Sequence, residues 1–330
     1  MRKLFVTMAL VFFSFCLFPV QGEAQTKAIV LKAFTNWPMT NNNVDGFKRF
    51  IQLVNERSQG ELEIKLMGGP ELISVKESVG ALGRGMMDMR HSNNVHFAMS
   101  QAADIISSTD AAVKLWLDPE FVRLINNYYM AKANIVVIGN AGNTAQFYLA
   151  TNKKIVTKLE DVKGLRIRTH GGLSNVVTSA LGAAPATIPT AEVYTALERG
   201  VVDGAMRPLP SLIDYNESEV LHNIVTPNMF QANAMIELNQ DSWKKLPAHL
   251  QKLLKDTAAE NLLWAESYYR DLEKKSWEDL AKRGVKFNTL GKNELTRWRK
   301  MLDQPERDWF LKETGPEGKA LLNIVDKYAK

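Results

Sequence analysis

Arg166, Arg168 and His170 stand at alternate positions in the stretch Arg166-Ile167-Arg168-Thr169-His170. If the stretch is a strand, its period of two puts all three side chains on one face. A guanidinium offers a planar fork of N–H donors matched to a carboxylate. An arginine aimed from such a strand into a cleft would therefore clamp an organic acid. Parity alone does not choose between Arg166 and Arg168. Signatures of other chemistry are missing. The chain has no G-x-S-x-G elbow, Walker loop, H-E-x-x-H pair or dinucleotide fingerprint. Residues 80–85 (GALGRG) carry glycines in the wrong order for a phosphate loop and fall at a helix end. His91 and His96 are five apart, a spacing that shares neither a helix face nor a strand face. No cofactor and no metal are expected, and the weight moves from catalysis toward binding.

Composition narrows the class further. The chain has 330 residues, 45% hydrophobic and 23% charged, the balance of a soluble globular protein. Its 41 basic and 36 acidic residues leave a formal charge of +5, too thin and dispersed for a nucleic-acid surface. One cysteine and five histidines exclude a disulfide framework and cysteine-rich metal modules. The length calls for two domains.

The first residues read as a targeting signal. Arg2 and Lys3 precede an apolar run over 4–20, and Gly22-Glu23-Ala24 supplies small residues where signal peptidase cuts. Pro19 and the absence of basic residues just behind the run argue against a membrane anchor. Cys16 follows Phe15, where a lipoprotein would want a small residue. Cleavage after Ala24 leaves a chain without thiols, indifferent to an oxidising compartment, and points to the periplasm.

Behind the leader, strands alternate with helices. Residues 28–34 read as a buried strand, and 44–58 as a helix with Val44, Phe47, Phe50, Ile51 and Val54 at helical spacing before Gly60. Strands are expected at 61–66, 134–139, 146–151, 165–168 and 232–238. Helices are expected at 74–82, 173–181 and 190–199, the last with Thr190 as its cap and Glu192 near the positive end of its dipole. Everything after Asp241 is helical in pattern, with a long stretch behind Pro247, as far as Lys282, free of Gly and Pro. The alternation predicts α/β layers with mostly parallel sheets. Leu263, Trp264, Tyr268, Tyr269, Leu272, Trp277 and Leu280 recur at three- and four-residue intervals, the pattern of helix packing.

The stretch 159–208 is the most specific in the chain. It contains Asp161, Lys163-Gly164, Arg166 and Arg168, then Leu181-Gly182-Ala183 and Pro185. Glu192-Val193-Tyr194, Ala196-Leu197, Gly200 and Val202-Asp203-Gly204 follow. This closely resembles the solute-binding receptors of tripartite ATP-independent periplasmic (TRAP) transporters. Gly68-Gly69-Pro70-Glu71, Gly85-Met86-Met87-Asp88-Met89 and Trp243-Lys244-Lys245-Leu246-Pro247 extend the likeness upstream and downstream.

The resemblance implies a two-lobed periplasmic-binding-protein-like α/β fold with discontinuous lobes and a long helix spanning both. Residues 1–24 would be the signal peptide, 25–145 plus 233–273 lobe I, and 146–232 plus 274–330 lobe II, with hinges near 145 and 232. It assigns the carboxylate clamp to Arg168 and matches Arg166 to a solvated position. Arg207 stands where such receptors have a ligand-contacting Asn or aromatic and could supply a second positive group. Gln146 replaces a frequent second arginine. Asn36, Trp37, His91, Ser92 and Asn93 would face the cleft from the other lobe, and Gln231, beside the hinge, joins the substrate-binding candidates. Glu192 is either a ligand contact or merely a helix-start residue. The implied partners are a small organic acid and TRAP membrane permease subunits, with no nucleic acid, and the receptor would be a monomer. The alternative is a secreted α/β enzyme acting on a small carboxylate, which would consume its ligand where a receptor returns it unchanged.

Overall fold

Val30 and Lys32 face solvent while Leu31 and Ala33 are buried, and this alternation sets β1 (Ile29–Thr35) in a computed structural model that describes residues 28–93, 96–105, 108–142 and 145–328. The expected signal peptide, Cys16 included, lies outside the described residues. Helix Asp45–Arg57 buries Phe47, Phe50, Ile51 and Val54 on one stripe, each full burial contributing roughly 1.5–3 kcal/mol of transfer free energy. It ends where Gln59 and Gly60 turn to positive φ.

Three more strands follow: β2 (Leu62–Leu66), β3 (Met89–Asn93) and β4 (Ile135–Asn140). Helix Pro119–Ala133 leads into β4. Asp118 caps its start by accepting the Glu120 and Phe121 N–H groups, and Asn134 ends it in the left-handed region. The chain then crosses to a second sheet for β5 (Ala145–Thr151), β6 (Arg166–Thr169), β7 (Ala184–Thr187), β8 (Gly204–Arg207) and β9 (Asn223–Ala232). Through Asn233 alone it returns to the first sheet as β10 (Ala234–Asn239), and β11 (Lys286–Thr289) later closes the second.

The first sheet has the order β2-β1-β3-β10-β4 and the second β11-β9-β5-β8-β6-β7. Both are mostly parallel, as the alternation predicts: β10 alone opposes the other four strands of the first sheet, and β5 alone the other five of the second. β10 runs antiparallel to both β3 and β4, and β5 to both β8 and β9. The reason lies in the crossings. β4 passes into β5 in one direction and β9 into β10 in the other, so each arriving strand opposes its new neighbours.

Both sheets are covered on two faces. Leu149, Met206 and Val225 point into one core of the second sheet, and their neighbours Ala150, Ala205 and Ile224 into the other. Helix Ala248–Lys282 ties the lobes together. Leu250, Leu254 and Ala258 join the core of the first sheet, and Leu280 joins a core of the second. Gly142, at φ +91° beside the β4–β5 crossing, lies so close to this helix that a Cβ there would meet the Ala265 Cβ at 1.8 Å.

Several expectations need revision. β11 interrupts the region after Asp241 that reads as helical throughout. Residues 274–330 do not pack wholly with the second sheet. Helix Lys292–Thr314 puts Trp298 and Leu302 in the second core but Phe310 in the first. Helix Pro316–Tyr328 then buries Leu321, Leu322, Ile324 and Val325 beside Trp116 and Tyr129 of the first lobe. The segment expected as a helix at 190–199 is a 3-10 turn, Thr190–Glu192, followed by helix Val193–Glu198. Thr190 does not cap it, because its hydroxyl accepts from Arg168 instead. Helices Thr109–Trp116 and Pro119–Ala133 and strands β7, β8 and β9 have no counterpart in the periodicity reading.

Candidate ligand-binding cleft

Arg166 and Arg168 both leave β6, but into different surroundings. Arg166 is exposed and gives Nε and Nη2 to the Asp203 carboxylate at 3.1 and 2.7 Å. Arg168 is 2% exposed. Its Nε donates to the Ile188 carbonyl at 2.9 Å and its Nη2 to Thr190 Oγ1 at 3.3 Å. Both acceptors are neutral, and among the described residues no carboxylate forms an ion pair with it. Burial, reinforced by Arg207, pushes the Arg168 guanidinium down to about 9, so it is charged at neutral pH.

Arg207, at the end of β8, is also buried, yet its fork is occupied. Nε and Nη2 donate to the two oxygens of Glu217 at 2.6 Å each, and the guanidinium lies 5.3 Å from the Tyr215 ring centroid. Burial pushes the Glu217 carboxyl up, and Arg207 opposes it. His170 follows Arg168 on the same strand face. Its ring packs on Phe147 at 4.9 Å and Phe230 at 5.8 Å, and both nitrogens are buried without a hydrogen-bond partner. Burial and the two nearby arginines push it down to about 3, so the imidazole is neutral.

Arg168, His170 and Arg207 line a cleft with about 560 Å³ of empty space, its open mouth included. The second lobe contributes Phe147, Arg168, His170, Thr190, Arg207 and Tyr215, and the first contributes Trp37, Asn43 and Asn93. Asn233, the residue joining β9 to β10, lies in the same wall. Its Oδ1 accepts from Asn140 and its Nδ2 donates to Asp104, both at 2.8 Å, so the cleft touches the crossing directly.

Of the residues proposed from sequence, Trp37, Asn93, Arg168 and Arg207 meet in this cleft. Asn36 and His91 lie one layer behind. Asn36 donates to Asn93 Oδ1 at 3.3 Å, while the His91 ring sits 4.7 Å from Trp37 and 4.9 Å from Phe47. The fully buried Ser92 hydroxyl donates to Glu237, which pairs with Arg90 inside the first lobe. Gln146 lines an adjoining hollow, open to solvent, with Tyr269, Arg270 and Glu273, and its amide donates to Thr109. Gln231 is fully buried opposite Gln146 in the β5–β9 register and does not line either cavity. Glu192 is exposed at the start of helix Val193–Glu198, the helix-start role, and lies outside the cleft.

Sequence reasoning did not bring Asn43, Phe147, Thr190, Tyr215, Glu217 or Asn233 to the site, and it marked His170 by its strand face without making it a binding candidate. The period-two face of β6 already pointed to His170. Nothing local pointed to Glu217, which reaches Arg207 through the turn after helix Leu209–Asp214.

Two α/β lobes joined by crossing strands, with a buried cationic cleft between them, define a two-lobed solute-binding protein. The chain belongs to the bacterial extracellular solute-binding protein family 7, whose family model matches residues 34–313. It is 26% identical over 306 residues to the 2,3-diketo-L-gulonate-binding periplasmic protein YiaO of Escherichia coli, covering 85% of this chain and 86% of that protein. It is 23% identical over 280 residues to the C4-dicarboxylate-binding periplasmic protein DctP of Rhodobacter capsulatus, covering 82% and 83%. The fold matches a TRAP periplasmic solute-binding protein from Desulfovibrio salexigens, solved with orotic acid, at a TM-score of 0.82 and 21% identity, over 91% of this chain and 98% of that one. The protein is thus an extracytoplasmic solute receptor by family. Among the described residues no helix is long and apolar enough to cross a membrane.

Proposed function

We propose that this receptor captures a small organic acid between its lobes in the periplasm, after removal of residues 1–24, and delivers it to a TRAP membrane permease. One observation carries the proposal: Arg168 is a buried, charged guanidinium whose protein partners are neutral. A buried charge is costly without a counter-charge, and a ligand carboxylate would supply one with matching planar geometry. The relatives named for 2,3-diketo-L-gulonate and C4-dicarboxylates are carboxylate receptors and support the same ligand class. Trp37 and Asn93 on one side and Arg168 on the other would let a bound acid bridge the lobes, stabilising the closed form through its contacts there.

A thermal-shift screen of the mature protein against a carboxylate library tests this. A true ligand at a hundredfold excess over its Kd adds roughly 2.7 kcal/mol of stability. The ligand is then recovered and analysed: return unchanged in stoichiometric amount fits a receptor, and conversion to product would show an enzyme.

A further inference from the structure

The electrostatics of the cleft go beyond a carboxylate clamp. Two arginines line it, but only one of their charges is left for a ligand. Arg207 is matched by Glu217 through two 2.6 Å hydrogen bonds, with both residues buried. Asp214 adds another carboxylate within electrostatic reach of Arg207, its oxygens accepting from Asn41 and Asn42 at 3.1 and 3.2 Å. His170 contributes no charge, since burial and the two arginines hold it neutral. Among the described residues the rest of the lining is uncharged: the rings of Trp37, Phe147, His170 and Tyr215, and the amides and hydroxyls of Asn43, Asn93, Thr190, Ser211 and Asn233.

A ligand with one carboxylate balances Arg168 and lays its remaining atoms against those rings. A ligand with two must bury its second charge against neutral walls that offer no counter-charge, or bring it toward the Arg207 fork that Glu217 already occupies. The first option leaves a desolvated anion unpaired, and the second places like charges together. We infer that the cleft selects singly charged carboxylates with an uncharged body, and that the Arg207–Glu217 pair is the device that excludes dicarboxylates. This inference rests on the carboxylate-receptor reading above and narrows it.

Titration calorimetry on matched acids tests it, using butyrate with succinate, benzoate with phthalate, and pyruvate with oxaloacetate. In each pair that binds, the monocarboxylate is expected to bind at least tenfold tighter. Glu217→Gln keeps an acceptor for Arg207 but removes the negative charge, and should shrink that preference at least tenfold by favouring the dicarboxylate. Arg207→Gln with Glu217→Gln removes both charges and should keep the wild-type preference, which separates charge balance from loss of packing. Thermal unfolding of each variant verifies that it folds. A dicarboxylate that binds wild type as tightly as its partner, or an unchanged preference in folded Glu217→Gln, overturns the inference while the receptor reading stands. Failure of every carboxylate, in these pairs and in the wider screen, overturns the receptor reading and this inference with it.

Discussion

Arg166 and Arg168 lie two residues apart on one strand, yet Arg166 is exposed and paired with Asp203 while Arg168 is buried and hydrogen-bonded to neutral oxygens alone. The same residue type on the same face thus has two fates. Arg166 sits at the first position of β6, where the strand emerges at the surface. Arg168 sits further in, over the cleft.

Replacing Arg168 with Ala is expected to weaken carboxylate binding by about 2–5 kcal/mol, the usual cost of truncating one partner of a buried charge pair. Arg168→Lys should recover part of this, because it restores the charge without the fork. Arg166→Ala should leave affinity within a few tenths of a kcal/mol. Calorimetry with an acid found by screening compares the three. Tight binding by Arg168→Ala together with loss in Arg166→Ala would reverse the assignment.

The two arginine pairs should also differ in stability. Glu217→Ala leaves Arg207 buried without its carboxylate and is expected to cost about 3–5 kcal/mol in denaturant unfolding. Arg166→Ala removes an exposed pair and should cost about 0–1 kcal/mol. Similar losses in both would mean that the Arg207–Glu217 pair is more hydrated than its burial indicates.

Gly142→Ala tests the crossing. Its φ of +91° is strained for any residue with a Cβ, and the added methyl would overlap Ala265 of the long helix. The expected loss is about 1–3 kcal/mol or more, from overpacking and backbone strain together. An unfolding midpoint unchanged from wild type would refute this close approach.

Glu306 predicts a pH dependence of folding. It is 7% exposed in helix Lys292–Thr314, and burial, with Asp303 and Asp104 adding to it against Arg299 and Arg307, pushes its carboxyl up to about 8. The folded protein therefore keeps a proton that the unfolded chain releases above its ordinary value of 4.5. Its contribution to stability falls as pH rises from about 4.5 to 8. Glu306→Gln should match wild type near the acidic end and exceed it by on the order of 5 kcal/mol near pH 8.5. Denaturation curves that stay parallel across this range would contradict the buried, protonated carboxyl.

The local elements were legible where burial repeats with a fixed period. Phe47, Phe50, Ile51 and Val54 announce their helix, and the run 134–139 announces β4, because one face of each meets a core. β11 escaped notice because neither Lys286 nor Thr289 is buried and Phe287 and Asn288 are only half-buried, which leaves no alternation to read. Helix Pro316–Tyr328 was visible as a helix, but its lobe was not. An apolar stripe specifies that a face is covered and says nothing about which of two cores covers it.

By itself the sequence determined the α/β class, the spaced motifs of 159–208 that carry the family likeness, and a strand face bearing Arg166, Arg168 and His170. All of these follow from residue type and short-range spacing, which survive without knowledge of the path of the chain. The tertiary structure decided what those residues meet. It set Arg207 against Glu217, placed Gln146 in a neighbouring cavity, sent Glu192 to the surface and brought Trp37 across from the other lobe. The physical reason is that charge pairing and desolvation depend on distances of a few ångströms between segments far apart in the chain. Only the crossings at β4–β5 and β9–β10 and the long helix set those distances.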